Sequence, residues 1–260
     1  MSLDAAPLPS QLGEGFSRLF EVVPALTEAC RDEVYFIRHE VYCRELGFEP
    51  VRSDQREVDA YDKNAVHCLM RTAEVDARLV GCARVVLTAE EDRDAPLPFE
   101  RTCAEVLDRS IIDPATLPRE RIAEVSRLAI MSTFRRRKGE ANTAGTIHAS
   151  DFGVAGHPRF PFIPVGLYLA AVSLAARNGI DYIFTLTEPR LAQHFAKLGV
   201  NIAPIGATVE HRGVRVPSVM NIPEIIENIR PSVQPMWQAV NAQLDNYFAA
   251  MKSARAAKVC

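Results

Sequence analysis

Ile122-Ala123-Glu124-Val125-Ser126-Arg127-Leu128-Ala129-Ile130 is apolar at both ends and charged in the middle. Runs of this length rich in Ile, Val and Leu read as strands, and the apolar flanks make this one central to a sheet. A carboxylate and a guanidinium inside a central strand must be paired or put to use, because lone buried charges are expensive. Side chains alternate along a flat strand, so Glu124 shares a face with Ser126, and Arg127 the opposite face with Val125. Glu124 and Arg127 therefore converge only across a β-bulge. A structural reading makes them an ion pair locking strand to loop; a functional reading makes Glu124 a proton acceptor.

Upstream, His67 to Thr72 and Leu79 to Leu87 are rich in Val, Leu and Cys and predict an antiparallel pair turning around Val75 to Ala77. Before them, Val34, Ile37 and Val41 recur at helical spacing after Asp32 and Glu33, and Leu46-Gly47 suits the helix end. That helix sets Arg38 and Tyr42 one turn apart. Pro50 to Lys63 is polar and irregular, and Phe99 to Leu107 reads as a helix. Downstream, Glu140 to Pro164 is rich in Gly, Ala, Thr and Pro and reads as a long loop or lid. There follow a helix over Gly166 to Arg177, a strand over Asp181 to Leu186, a helix over Glu188 to Leu198 stopped by Gly199, and a strand over Ile202 to Val209. Arg212-Gly213 makes a hairpin turn into Val214 to Val219. After Pro223, Trp237, Val240, Leu244, Tyr247 and Met251 repeat at helical spacing. The class is α/β (α+β): a mixed, mostly antiparallel central sheet flanked by helices. Residues 1–225 form its domain, and 226–260 an amphipathic helix packing on that domain, on a partner or across a homodimer interface.

With 260 residues, 48% of them apolar and 24% charged, the chain can bury a substantial core. A net charge of -3 argues against a nucleic-acid partner, which calls for a strongly basic face. The six cysteines never fall as C-x-x-C, and the histidines lack ligand spacing, so neither a metal site nor a disulfide framework is expected. Met1 to Ser10 has no basic start or apolar run, and no stretch approaches eighteen apolar residues. A cytoplasmic protein without a membrane span is the expectation.

Arg38-x-x-Val41-Tyr42 with Leu46-Gly47-Phe48, then Glu57-x-Asp59-x-x-Asp62, Gly81-x-x-Arg84 and Glu124-Val125-Ser126-Arg127 together resemble the signature of the acyl-homoserine-lactone (autoinducer) synthases, acyltransferases of the GNAT fold. The second half, with Gly166-Leu167-Tyr168, Thr187-Glu188-Pro189, Lys197-Leu198-Gly199 and Pro204-Ile205-Gly206, looks more like the N-acyl amino acid synthases and the acyltransferases of exosortase (PEP-CTERM) systems. Phe48 stands where the autoinducer synthases usually carry tryptophan, and their C-terminal halves are expected to be built differently, which points away from a homoserine lactone product. The resemblance implies a GNAT-like acyltransferase moving a fatty acyl group from acyl carrier protein, or from acyl-CoA, to the amine of an amino acid or related small molecule. The phosphopantetheine thioester is then a co-substrate, and no bound cofactor is implied. Alternatives are an autoinducer synthase, an acetyl-CoA-dependent N-acetyltransferase, and a non-catalytic acyl-binding module whose charges neutralise one another and leave no room for an acceptor.

Attack of an amine on a thioester needs a base for the ammonium proton and donors for the oxyanion. Glu124, Glu57 and Asp59 are the candidate bases. Arg38, Tyr42, Phe48, Asp62, Arg84, Ser126 and Arg127 are the candidate acceptor-site residues, with one of the three arginines left over to pair with an acceptor carboxylate. Asp62 could instead simply cap the next element. Arg135-Arg136-Arg137-Lys138-Gly139 falls where the resemblance implies a phosphate-binding turn. Its cations would receive phosphopantetheine or steer an acidic carrier protein, or form a solvated basic turn. Cys82 reads as core packing, since an incoming thioester needs no acyl-cysteine. Tyr168 and Phe162 could line an acyl tunnel or be plain core.

Overall fold

The computed structural model describes residues 12–135, 153–154, 157–158, 161–188, 192, 195–196 and 198–257. Its sheet runs in the order β1 (Phe20–Pro24), β2 (Ala65–Thr72), β3 (Leu79–Leu87), β4 (Ile122–Ile130), β7 (Tyr182–Thr187), β10 (Val214–Asn221), β8 (Ala203–Pro204), with β9 (Val209–Glu210) also on β10. Every pair is antiparallel except β4 with β7. A two-stranded ribbon, β5 (Gly153–Val154) with β6 (His157–Pro158), stands apart; of the rest of the expected loop, residues 140–152, 155–156 and 159–160 lie outside the described residues, and Phe162 to Pro164 belong instead to the helix that follows.

The alternation of strand residues divides the core. Cys68 and Met70 of β2 join the cluster under α4 (Phe162–Arg177), whereas Leu69 between them joins the cluster under α2 (Glu28–Arg38). α4 is buried from Val165 to Ala175, so it is apolar all round rather than amphipathic. Its Gly166 is required by contact: a Cβ there would lie 2.6 Å from the Phe16 ring of α1 (Leu12–Leu19). The C-terminal helix α6 (Gln234–Ala257) packs on α1, α4 and β1, with Met236, Val240 and Leu244 fully buried. Gln243 of α6 accepts a hydrogen bond from Val22 N on edge strand β1 at 2.8 Å, satisfying a donor that would otherwise template a foreign strand. Residues 234–254 thus meet their own domain.

Three expectations shift. Helix α3 spans only Pro98–Thr102; the remainder of the expected Phe99 to Leu107 helix makes tight turns, with Val106 N and Leu107 N both donating to Cys103 O, and the chain is then held by Ala207 N donating to Val106 O and Asp108 N to Ile205 O. The strand expected over Ile202 to Val209 is broken into β8 and β9, since Pro204 lacks a donor and Gly206 is pressed against Val106 O. The α1–β1 segment and α5 (Ile222–Asn228), which Asn221 caps through Glu224 N, were not anticipated. Of the helix expected over Glu188 to Leu198, the described Ala192, Phe195 and Ala196 are helical, and Gly199 ends it at φ 88°.

Candidate active site

β4 and β7 pair only through Ile122↔Tyr182, Ala123↔Ile183 and Glu124↔Phe184. Beyond Glu124 the two strands part, although β4 continues to Ile130 and β7 to Thr187. A cavity of about 360 Å³ opens at the split, within the range of ligand pockets. Its apolar wall includes Leu128, Tyr168, Phe195, Ile202 and Met220; its polar wall includes Asp59, Arg84, Arg101, Glu124, Arg127 and His211.

The expected bulge is present. Between β3 and β4 the register passes from Arg84↔Ser126 to Cys82↔Ala129, which inserts one extra residue into β4, and Arg127 takes φ 52°. A flat strand would turn Arg127 toward the α4 core with Val125. The bulge turns it instead to the face of Arg84 and Glu124, where its guanidinium meets Glu57 at 3.0 Å and Asp59 at 3.2 Å.

Arg38 arrives from the other side. α2 is capped by Thr27, whose side chain accepts from Cys30 N, and beyond Arg38 it widens into a π-helical segment, His39–Glu45, before Gly47 ends it at φ 64°. The wider turn, with Leu46 N donating to Val41 O, lets Arg38 face the acidic loop while the Tyr42 hydroxyl donates to Leu128 O at 3.0 Å. Arg38 donates to Glu57 at 2.5 Å and grips Asp62 with two bonds of 2.6 and 3.0 Å. Arg84 donates to Asp59 at 2.7 Å, to Asp62 at 2.9 Å and to the Ser126 hydroxyl at 3.3 Å. Both Asp62 readings hold at once: Asp59 and Asp62 also form a capping box at Ala60–Asn64.

These contacts decide the protonation states. Burial would raise the three carboxyls, yet the guanidinium bonds prevail and hold Glu57, Asp59 and Asp62 below the usual carboxylate range. Glu124 is different. It is buried, no arginine among the described residues bonds it, and it accepts a hydrogen bond from Phe99 N at 2.6 Å. Burial pushes it up to about 7, against the pull of the Phe99 N–H, Arg84 and Arg127. The Glu124–Arg127 ion pair allowed by the sequence is thus absent; Arg127 spends its charge on Glu57 and Asp59.

Tyr42, Phe48, Asp59, Arg84, Glu124, Ser126 and Arg127 all line the cavity, whereas Arg38, Glu57 and Asp62 stand behind its wall. The expectation that Arg38, Arg84 or Arg127 remains unengaged for a substrate is corrected: all three are consumed by carboxylates. Arg135 pairs with Glu45, and Arg136 to Gly139 lie outside the described residues. Tyr168 lines the cavity and Phe162 packs on Phe16 instead. Cys82 is fully buried, with its thiol raised by burial, as core packing requires. Sequence reasoning gave no site role to Arg101, Thr187, His211, Arg212 and Arg215, which also line the cavity; only the turn signal at Arg212-Gly213 marked the hairpin that carries the last three. Among the described residues no helix is long and apolar enough to cross a membrane.

Residues 37–143 match the family model described as an acetyltransferase (GNAT) domain. The fold is that of TofI, solved in a ternary complex with an inhibitor and MTA, at 21% identity and a TM-score of 0.54, over 83% of this chain and 99% of that one. It is also that of BjaI, a CoA-dependent acyl-homoserine lactone synthase solved with SAM and isopentyl-CoA, at 17% identity and a TM-score of 0.53, over 85% and 90% of the two chains. FeeM, an N-acyl amino acid synthase from uncultured soil microbes, matches at 15% identity and a TM-score of 0.52, over 82% and 96%. No curated protein matches. These alignments take in 90% or more of each neighbour, so the shared fold extends into the C-terminal halves.

Proposed function

We propose that this GNAT-fold acyltransferase moves a fatty acyl group from a phosphopantetheine thioester, on acyl carrier protein or CoA, to the amine of a small acceptor. The observation that carries the reading is the parting of β4 and β7 directly after Glu124, with a buried carboxyl of pKa about 7 at the apex of the resulting cavity. A general base works best when its pKa lies near the operating pH. Glu57 and Asp59, held ionised by arginines, are poor proton acceptors by comparison and serve to fix the loop and Arg127.

In this mechanism the acyl chain occupies the apolar wall and the thioester carbonyl lies along β4 beyond Glu124. Glu124 takes the ammonium proton, directly or through one water. The amine nitrogen then attacks the carbonyl carbon and the new N–C bond forms; as the C–S bond breaks, the nitrogen gives up its second proton, which passes through water to the departing thiolate and leaves a neutral amide and a thiol. Backbone N–H groups at the bulge and the Thr187 hydroxyl, which is buried without a partner among the described residues, are donors suited to the oxyanion and the pantetheine arm. The non-catalytic alternative required all the acids to be neutralised and no space beside them. The carboxylates behind the wall fit that requirement; Glu124 and the cavity do not. The apolar wall favours a fatty acyl group over acetyl.

The test is mass spectrometry of lipid extracts from cells overproducing the protein or its Glu124→Gln variant. N-acylated amines present only with the intact protein are expected, and their masses name chain and acceptor. No new acylated amine in either culture, with folded protein in both, would overturn the reading.

A further inference from the structure

The cavity has five arginines on its wall, Arg84, Arg101, Arg127, Arg212 and Arg215. Four of them meet carboxylates: Arg84 with Asp59, Arg127 with Glu57, Arg212 with Glu49, and Arg215 with Glu188 at 3.1 Å. Arg38, behind the wall, is spent on Glu57 and Asp62. Arg101 alone among these has no hydrogen-bond or ion-pair partner among the described residues, and it is exposed. Of these six guanidinium groups five are paired with carboxylates, and the one left over is that of Arg101.

Its placement is fixed. Arg101 sits on α3, two residues beyond Phe99, whose N–H donates to the Glu124 carboxyl and whose ring stacks on Phe184 at 4.5 Å. Arg119 clamps the intervening Glu100 with bonds of 3.1 and 2.8 Å and donates also to Ala95 O and Arg93 O. The short helix is thus tied both to the proposed base and to the preceding loop, and it holds an unspent guanidinium beside them.

We propose that Arg101 binds the carboxylate of the acceptor, so that the enzyme takes free amino acids in preference to amines that lack a carboxyl group. This rests on the acyltransferase reading above. An α-amino acid whose amine approaches Glu124 carries its carboxylate a few bonds away, and a planar guanidinium receives a carboxylate through two parallel hydrogen bonds. Because Arg101 is exposed and makes no hydrogen bond or ion pair among the described residues, its loss removes none of the polar contacts that hold the fold.

The experiment uses the full chain with acyl-CoA or acyl-loaded carrier protein as donor. L-tyrosine and L-leucine serve as acceptors beside tyramine and isoamylamine, their carboxyl-free counterparts. Wild type is expected to prefer the amino acids. Arg101→Ala should raise their KM about tenfold or more, the loss of a charge-assisted pair, and erase the preference. Donor KM and melting temperature should not change, and Arg101→Lys should recover part of the affinity. A rise in donor KM instead would assign Arg101 to the donor phosphate and overturn the proposal; so would unchanged kinetics. If wild type acylates none of the four, the acyltransferase reading fails, and calorimetric titration with the same compounds decides the subsite separately. Amino-acid binding lost in Arg101→Ala supports it, and no binding by wild type overturns it.

Discussion

Replacing Glu124 with glutamine separates the cost of the buried acid from its use. An ordinary glutamate titrates at 4.5, and Glu124 at about 7, raised first by burial. Between those values the unfolded chain has released this proton and the folded chain has kept it. The folded state binds more protons there, so stability falls as pH rises through the window, and above about 7 the loss is complete. At about 1.4 kcal/mol per unit the full loss is about 3 kcal/mol. Glu124→Gln keeps an acceptor for Phe99 N–H but cannot ionise. Its stability relative to wild type should therefore climb by about 3 kcal/mol between pH 4.5 and pH 8, whatever constant offset the new amide adds. Urea denaturation of both proteins at stepped pH measures this, because subtraction cancels every other titrating group. In the same variant kcat/KM should fall by about 10² to 10⁴, and the limb in wild type, along which the rate drops about tenfold per unit below pH 7, should vanish. A stability difference flat in pH would refute the raised acid, and a limb surviving in the variant would assign the base elsewhere.

Asp62→Asn leaves Arg38 and Arg84 short of a counter-charge in a dry interior and should cost about 3–5 kcal/mol, read by urea denaturation at pH 7; a loss under 1 kcal/mol would make the network a surface-like one. Phe195→Trp narrows the apolar wall and should shift the preferred donor to shorter chains in a mixed acyl-donor competition read by mass spectrometry, whereas an unchanged product profile would move the acyl chain elsewhere. Cys82→Ala should retain turnover, and intact-protein mass spectra taken during turnover should carry no acyl adduct, because the proposed transfer is direct; a stoichiometric acyl-enzyme would overturn that.

The strands and the bulge were legible because their signals are local. Alternation alone required a bulge if Arg127 was to share a face with Glu124, and the extra residue is there. The acidic string and the arginines were legible as one network, since fixed charges around a central strand must find one another. What spacing could not convey is which charge ends unpaired. Arg101 belongs to no motif in the sequence, and the chain just past its helix is held by backbone bonds to Ile205 and Ala207, about a hundred residues away in sequence. His211 and Arg215 join the cavity only because the hairpin folds back over it.

The same distance explains why three acids and a fourth of the same chemistry behave oppositely. Glu57, Asp59 and Asp62 are each within 3.0 Å of an arginine nitrogen and stay ionised. Glu124, on the adjoining strand face, is left with a backbone donor and its own desolvation. Arg127 could reach either set, and the bulge aims it at Glu57. Had it paired with Glu124, that carboxyl would be pulled down with the others and the cavity would hold no carboxyl raised toward neutral pH. The network therefore acts on the chemistry by occupying the arginines: it keeps three cations from quenching the one acid that must stay basic. An Arg127→Gln variant tests this directly, since removing one of the two cations that pull Glu124 down should move the rate limb to higher pH, whereas a catalytic pairing of Arg127 with Glu124 would predict a large loss of kcat without a change in the limb.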